Sequence, residues 1–226
     1  AAAAAFVLIH LLISGTRLRD AITGVIGQGP YMGLFSLASV AALVWLGFAY
    51  GGARHGPDPE YWGATAATKW LQLAITLLAF LLAVPGLLTP NPTGVRQEGA
   101  LDRPDVAKGI VRVTRHPFLW GVVLWAAGHL LVNGDLASLI LFGSLLVLAI
   151  FGTTSIDAKR RRALGEKWDA FARQTSAVPF AAIAQGRQSL QLGEIGWWKL
   201  AVAVAVWAAL VWAHPLLFGV SALPGR

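Results

Sequence analysis

Residues 136–156 have the sequence LASLILFGSLLVLAIFGTTSI, and residues 157–164 continue it as DAKRRRAL. The first segment contains no charged side chain. At about 1.5 Å per residue, a helix of that length is long enough to cross the roughly 30 Å hydrocarbon core of a bilayer. Charge then begins abruptly at Asp157 and continues through Arg162. This pattern predicts a membrane-spanning helix whose carboxyl end leaves the membrane on its basic side.

Five further apolar stretches flank this segment. Including it, we place the spans at residues 1–14, 31–50, 69–89, 118–133, 136–156 and 197–215. The whole composition agrees, because 56% of the 226 residues are hydrophobic and 13% are charged, whereas soluble domains carry about 25% charged residues. We therefore predict an all-α, polytopic integral membrane bundle of about six transmembrane helices, forming one domain over residues 1–226. Ala1–Ala5 form an alanine run with no initiator Met, so we expect the native chain to begin earlier.

The Lys and Arg residues are divided unequally between the loops. The loops after the first, third and fifth spans hold two, five and eight of the chain's 18, so 15 lie on one side and three on the other. By the positive-inside rule the side with 15 is cytoplasmic, and both termini lie on the non-cytoplasmic side. The expected location is a bacterial-type inner (plasma) membrane that the chain crosses several times. The net charge of +7 then describes topology, and we expect the lipid bilayer, not nucleic acid, as its partner.

The long basic segment after the fifth span contains an amphipathic pattern. Apolar side chains recur among the charges at helical spacing, at Ala163, Leu164, Trp168, Phe171 and Ala172. This spacing predicts a helix lying at the cytoplasmic interface of the membrane. Two interpretations stay open, a solvated linker that follows the lipid surface and a helix that contacts substrate or cofactor.

The ionisable residues inside the spans are almost all histidines. The chain has no cysteine, which excludes disulfides, thiolate metal sites and covalently attached c-type haem. Asp and Glu are absent from the spans, except for Asp157 at the end of the fifth. His10 lies in the first span, His129 in the fourth and His214 at the outer end of the sixth. Intramembrane ionisable residues are costly and are candidates for function, whereas His55 lies in a loop and is expected to be solvated.

Two neutral imidazoles that face each other in an apolar bundle suit non-covalent haem b. A structural zinc site fits less well, because no carboxylate or thiol accompanies the histidines. His10 and His129 are candidate iron ligands, although their depths differ by about 10 Å at 1.5 Å per residue. The alternative pairs are His10 with His116 and His129 with His214.

Arg115-His116-Pro117 begins the fourth span. Proline at the first helical position is a common start signal, and Arg115 and His116 then anchor the helix in the headgroups. Alternatively, together with the basic helix after the fifth span, they cradle an anionic group or a nucleotide cofactor.

Several motifs resemble the NnrU family, whose members include plant 15-cis-zeta-carotene isomerases. They are Phe6–His10, Gly29–Ser36, Val113–Pro117 with Gly121, Trp125 and His129, Asn133–Ser138, Thr175–Ser176, Val178–Ile183, Gly186–Gln188 and Ala213–Leu216. The likeness covers nearly the whole chain and is most specific at Val178–Ile183 and at the spaced histidines.

The resemblance implies an integral membrane protein that holds haem b and converts a 15-cis double bond of a long polyene to trans while its iron is reduced. It places the iron ligands and catalytic centre at His10 and His129, and it implies a lipophilic polyene substrate and an unidentified electron donor. His214 also matches. Ala126 stands where the isomerases have a cysteine thought to be an alternative ligand, and Leu148 replaces a further histidine.

Two other functions are compatible with these motifs. Bacterial NnrU proteins are needed for nitrite and nitric oxide reductase activity in denitrification, so a haem-binding accessory or redox-sensing role is the main alternative. The Arg115-His116-Pro117 triplet, with Gly121, Gly165 and Pro179, is also similar to membrane methyltransferases that use S-adenosylmethionine. In those enzymes a Glu-Glu pair stands near the position of Ile156-Asp157.

Overall fold

A computed structural model describes residues 1–225 of the chain. Its helices are α1 (Ala2–Leu8), a π-helix (Ile9–Ser14) that continues it, α2 (Arg17–Ile26), α3 (Gln28–Ala53), α4 (Ala66–Leu87), a 3-10 helix (Glu98–Asp102), α5 (Ile110–Val113), α6 (Pro117–Val132), α7 (Leu136–Leu164), α8 (Glu166–Gln174), α9 (Ala181–Ala184), α10 (Leu192–Ile195) and α11 (Trp197–Phe218). Across residues 1–225 the β pairing is limited to one isolated bridge between Glu60 and Asp135. The predicted all-α class is confirmed.

Four helices, α3, α4, α7 and α11, are each long and apolar enough to cross a membrane. The first predicted span corresponds to α1 and its π-helical continuation, which turn by 73° into α2; the two parts together qualify as a fifth crossing. The fourth predicted span corresponds to α6, which is apolar but has only 16 residues, about 24 Å of helix. The chain is thus a multi-pass membrane protein, and the count of six spans is approximate.

The helix starts follow from local capping. The Thr65 hydroxyl accepts a hydrogen bond from the Thr68 amide at the start of α4, and the Asp135 carboxylate accepts one from the Ser138 amide at the start of α7. Pro117 occupies the first turn of α6, as predicted. Gly165, at φ +52°, lies between α7 and α8 and provides a backbone conformation that other residues rarely adopt.

Small residues let α4 and α6 pack closely in the most extensive helix contact of the bundle. A Cβ atom built on Gly121 would lie 2.6 Å from the Ala83 Cβ and 2.8 Å from the Ala79 carbonyl oxygen. Such small-residue contacts are typical of membrane helices, because apolar lipid gives helices no hydrophobic reason to associate. Helix α11 packs on α4, where the Trp207 indole donates to the Thr76 hydroxyl at 3.1 Å. Helix α7 packs on α6 and also contacts α1 and α3.

A second core lies outside the spans, among the short helices. Ile110, Val111 and Val113 of α5 are buried together with Trp168 and Phe171 of α8 and with Ile195 of α10. Trp168 is 0% exposed. The predicted amphipathic helix is divided at Gly165, so that Ala163 and Leu164 end α7 and only Trp168, Phe171 and Ala172 belong to α8. The apolar face of α8 packs against the rest of the protein.

The charge sorting predicted from the loops agrees with the contacts. Arg162 at the end of α7 lies 3.6 Å from Asp20 of α2, and the Lys199 ammonium donates to the Thr89 hydroxyl at 2.9 Å. These contacts place the first, third and fifth loops at one end of the bundle. We call it the basic end, formed by residues 15–27, 88–117 and 157–199. At the opposite end, the Lys69 ammonium donates to the Ser221 carbonyl oxygen at 3.0 Å.

Candidate functional site

His10 lies in the π-helical turn that continues α1. Its Nδ1 is 2.8 Å from the Phe6 carbonyl oxygen. A carbonyl oxygen can only accept a hydrogen bond, so Nδ1 carries a proton, and Nε2 of the neutral tautomer would be left bare. Phe6 and Phe35 lie beside the ring, with centroid distances of 4.5 and 5.3 Å. Short π-helical turns often occur at functional sites.

His129 repeats this arrangement on α6. Its Nδ1 is 2.8 Å from the Trp125 carbonyl oxygen, so its Nε2 is also bare. The ring stacks on Phe142 of α7 at 4.7 Å and lies 4.5 Å from the Trp125 ring. Both half-buried imidazoles therefore have the tautomer that binds a metal through Nε2, fixed by a hydrogen bond to backbone.

Contacts with α7 give the relative depths of His10 and His129 in the bundle. His129 is level with Phe142, whereas Gly15, which follows His10 by one to two turns, lies against Ser155. At 1.5 Å per residue, His10 then lies on the order of 10 Å nearer to the basic end than His129. This offset agrees with the depth difference expected from the sequence.

The two remaining histidines outside the Arg115-His116 pair make similar local bonds. His214 Nδ1 is 2.7 Å from the Val220 carbonyl oxygen near the end of α11, and His55 Nδ1 is 2.7 Å from the Gly51 carbonyl oxygen at an exposed position. Among residues 1–225, no three His, Asp or Glu side chains converge as a set that would hold a metal ion. A metal ion in the spans would therefore be bound by single imidazoles and not by a preformed cluster of three ligands.

Arg115 and His116 meet Asp157 at the basic end. Arg115 Nε donates to both Asp157 carboxylate oxygens at 3.0 Å, and its Nη2 also donates to that carboxylate. His116 Nε2 is 2.8 Å from Asp157 Oδ1. Burial lowers the pKa of His116 below its usual value, although Asp157 opposes that shift. The imidazole is then neutral near pH 7, and its Nε2–H donates to Asp157.

Backbone contacts hold this cluster in place. The Arg115 carbonyl oxygen accepts hydrogen bonds from the Asn91 amide at 3.0 Å and the Thr93 hydroxyl at 2.8 Å. The Arg115 amide donates to the Ser176 carbonyl oxygen at 2.9 Å, and the Trp120 indole donates to the Ala177 carbonyl oxygen at 2.7 Å. The turn that precedes α6 is thereby hydrogen-bonded to two distant segments of the chain, residues 91–93 and residues 176–177.

Asp157 is the member of this cluster that the sequence did not assign. In the sequence it stands out only as an acidic residue at the end of the fifth predicted span and as the position of the methyltransferase Glu pair. An isolated carboxylate beside a basic run was a usable sign of a buried ion pair. The structure does not bring Arg115 or His116 into contact with His10 or His129; it joins them to each other through Asp157.

Comparison with known proteins identifies the family and two relatives of the chain. The chain is 31% identical over 140 residues to the 15-cis-zeta-carotene isomerase, chloroplastic, of Arabidopsis thaliana, covering 59% of this chain and 38% of that protein. It is 27% identical over 194 residues to the protein of the same name from Zea mays, covering 82% and 50%. The chain thus spans half or less of the length of these relatives. No solved structure matches it significantly. The sequence model of the NnrU protein matches residues 1–222, and the chain belongs to the NnrU family.

Proposed function

We propose that this chain is a membrane-embedded cis–trans isomerase of a carotenoid-type polyene, and that it holds haem b through His10 and His129. The observation that carries the proposal is the matched state of the two intramembrane imidazoles, each with Nδ1 bonded to its own helix and Nε2 bare. The isomerase names of both relatives support the reaction class.

The donor chemistry of these residues fits haem b. Neutral imidazole is a usual axial ligand of haem iron, and a second hydrogen bond on the far nitrogen orients such a ligand. The Phe6 and Trp125 carbonyl oxygens make those bonds here. His116 is a weaker candidate, because its Nε2 is already bonded to Asp157. His214 keeps a bare Nε2 and stays a predicted alternative contact.

The chain's residues would act by binding, orienting and excluding water. Aromatic rings surround both histidines, namely Phe6 and Phe35 around His10 and Trp125 and Phe142 around His129. Aromatic and apolar surroundings suit a long hydrocarbon substrate, and the lack of carboxylates in the spans fits a reaction that moves no proton. Once bound, reduced haem iron would interact with the polyene and lower its barrier to double-bond rotation. An electron donor, still unidentified, would keep the iron reduced.

Arg115 and His116 make no contact with His10 or His129 and have no assigned part in the proposed haem site. Their side chains are bonded to Asp157, which leaves little free polar surface for S-adenosylmethionine. A direct contact of Arg115 or His116 with an anionic or nucleotide cofactor stays a prediction from the sequence. We also propose that the basic end faces the cytoplasm of a bacterial-type inner membrane, with both termini on the other side, because 15 of the 18 Lys and Arg lie at that end.

Absorption spectra of the purified chain test the proposal. After supply of haem during expression, we expect a Soret band that shifts on reduction with dithionite. His10→Ala and His129→Ala should each abolish or strongly weaken the band, since each removes one of the two residues that would hold the haem. His55→Ala is the matched control, because His55 is exposed at a loop and should leave the spectrum unchanged. Absence of a Soret band in the unsubstituted chain would refute the haem assignment.

Co-expression with enzymes that accumulate 15-cis-zeta-carotene tests the reaction. We expect the isomer in which the 15-cis double bond has become trans to increase only when the chain is present and the cells are reducing. A chain that binds haem but leaves the isomer profile unchanged would not be this isomerase. That result would instead favour the accessory or redox-sensing role in denitrification.

A further inference from the structure

A pocket of about 410 Å³ opens at the basic end, beside the carboxyl end of α4. Its lining includes Leu87, Leu88 and Pro90 on one side and Arg96, Gln97 and Arg103 on the other. The volume falls within the usual range for pockets that hold small ligands, about 300–1,000 Å³. The pocket lining includes no histidine and neither Arg115 nor Asp157.

The acidic side chains of the same loop are already paired with other cations. Glu98 forms an ion pair with Arg160, Asp102 with Lys167 and Asp105 with Lys108. Arg96 and Arg103 form no salt bridge or side-chain hydrogen bond within residues 1–225. The two arginines that line the pocket therefore have no ion-pair partner, whereas each carboxylate of this loop pairs with another cation.

The backbone at Arg96 is also unusual. Its φ is +58°, and the only other non-glycine residue with positive φ in the described part of the chain is Phe180. A long, non-glycine side chain adopts this left-handed conformation at a cost of about 1 kcal/mol, and such positions concentrate where a ligand is held. Arg96, one of the two unpaired arginines of the pocket, thus has an unfavourable backbone conformation.

The opposite wall of the pocket is apolar and continues into a membrane span. Leu87, the last residue of α4, is 61% exposed, and Leu88 beside it is 41% exposed. The pocket therefore combines two cations with exposed apolar side chains at the boundary where a span ends. Basic pockets in this position bind the headgroups of anionic lipids.

We propose that this pocket binds the phosphate headgroup of an anionic phospholipid, with Arg96 and Arg103 contacting the phosphate and the acyl chains running along the exposed end of α4. A free phosphate would use the same two arginines, but it would gain nothing from Leu87 and Leu88. The apolar wall is the reason to assign the lipid as the occupant.

Titration of the delipidated full chain in detergent tests this assignment. The probes are dioctanoyl phosphatidylglycerol, dioctanoyl phosphatidylcholine and inorganic phosphate, and the readout is the shift of the thermal unfolding midpoint with probe concentration. We expect phosphatidylglycerol to raise the midpoint at lower concentration than either other probe. Arg96→Gln/Arg103→Gln should weaken its apparent affinity about 25-fold, at roughly fivefold per arginine.

The matched control is Arg17→Gln/Arg173→Gln, which removes two exposed arginines from the same end, outside the pocket. This variant should bind phosphatidylglycerol within about twofold of the unsubstituted chain. Leu87→Gln should weaken binding of phosphatidylglycerol and leave any effect of inorganic phosphate unchanged. Equal loss in the two arginine variants, or equal affinity for both lipids, would overturn the site. Equal binding of phosphate and phosphatidylglycerol would overturn the lipid as its occupant.

Discussion

Asp157 neutralises Arg115 and accepts a hydrogen bond from His116, and all three side chains lie largely out of contact with solvent. An ion pair of this kind is costly to break from one side, because the remaining charge stays buried without a partner. Asp157→Asn preserves the side-chain volume but removes the charge. We expect it to destabilise the chain by about 3 kcal/mol and to lower the unfolding midpoint in detergent by about 10 °C.

Asp169→Asn is the control for this prediction. Asp169 pairs with Arg161 where both side chains are well exposed, and such surface pairs contribute about 0–1 kcal/mol. Adding Arg115→Gln to Asp157→Asn should recover part of the lost stability, since it removes the unpaired cation. Similar midpoints for Asp157→Asn and Asp169→Asn would show that the buried cluster does not stabilise the fold.

At the level of single residues, the sequence predicted some of the polar network and missed the rest. The spaced histidines and the Arg115-His116-Pro117 start of α6 were recognisable, because ionisable residues are rare in apolar segments. The partnership of Asp157 was not recognisable, because it joins two residues far apart in the chain and depends on how α6 and α7 pack. The bare Nε2 atoms likewise depend on side-chain rotamers that composition does not report.

Helix α6 approaches α4 through Gly121, and the separation leaves no space for a side chain. A Cβ at this position would lie 2.6 Å from the Ala83 Cβ, closer than real Cβ contacts. Gly121→Ala should therefore force the helices apart and cost about 1–3 kcal/mol. Thermal unfolding in detergent would measure the loss.

Gly47 of α3 supplies the opposite case. Nothing lies within 4 Å of a Cβ built there, so Gly47→Ala should be neutral or stabilising by up to about 1 kcal/mol, the difference in helix propensity. If both alanine variants stabilised the chain, close packing at Gly121 would not limit the approach of α4 and α6.

Helices α5 and α10 are linked by an ion pair that predicts a pH dependence. Arg112 donates to both carboxylate oxygens of Glu194, at 2.7 and 3.0 Å, and the Gly109 amide donates at 2.9 Å. These bonds lower the pKa of Glu194 from 4.5 to about 2. A lowered acid pKa stabilises the fold fully above pH 4.5, and that contribution disappears as the pH falls towards 2.

Glu194→Gln removes this contribution. The unfolding midpoint of the unsubstituted chain should exceed that of Glu194→Gln near pH 6, and the difference should shrink progressively as the pH is lowered from about 4.5 towards 2. Arg112→Gln should reduce the same pH dependence, because it removes the largest cause of the shift. A difference that stayed constant over this pH range would contradict the assignment.

The helices themselves were predictable to different degrees. Long apolar runs predicted α3, α4, α7 and α11, because a helix that crosses the hydrocarbon core needs about 20 mostly apolar residues. The π-helical turn at His10 and the 73° bend after it were not predictable, since hydropathy does not report hydrogen-bond register. For α8 the amphipathic period was visible, but its packing partners in α5 and α10 come from distant parts of the sequence.

The whole molecule has one strongly basic end and an opposite end with few Lys and Arg residues, and this asymmetry predicts the orientation proposed above. Because this 226-residue chain has no cysteine, single cysteines introduced into it report sidedness without a background. Val95→Cys lies at the basic end and Tyr61→Cys at the opposite end, where the native side chains are 74% and 62% exposed. Arg96 and the Arg115–Asp157 cluster share the side of Val95.

We expect a membrane-impermeant maleimide to label Tyr61→Cys in intact cells and to label Val95→Cys only after the membrane is permeabilised. Ala149→Cys, buried in α7, should stay unlabelled in both conditions and controls for unfolded protein. The reverse pattern would place the basic end outside the cell. The two unpaired arginines of the pocket would then face the other leaflet, and the electron donor of the proposed haem would have to approach from the opposite side of the membrane.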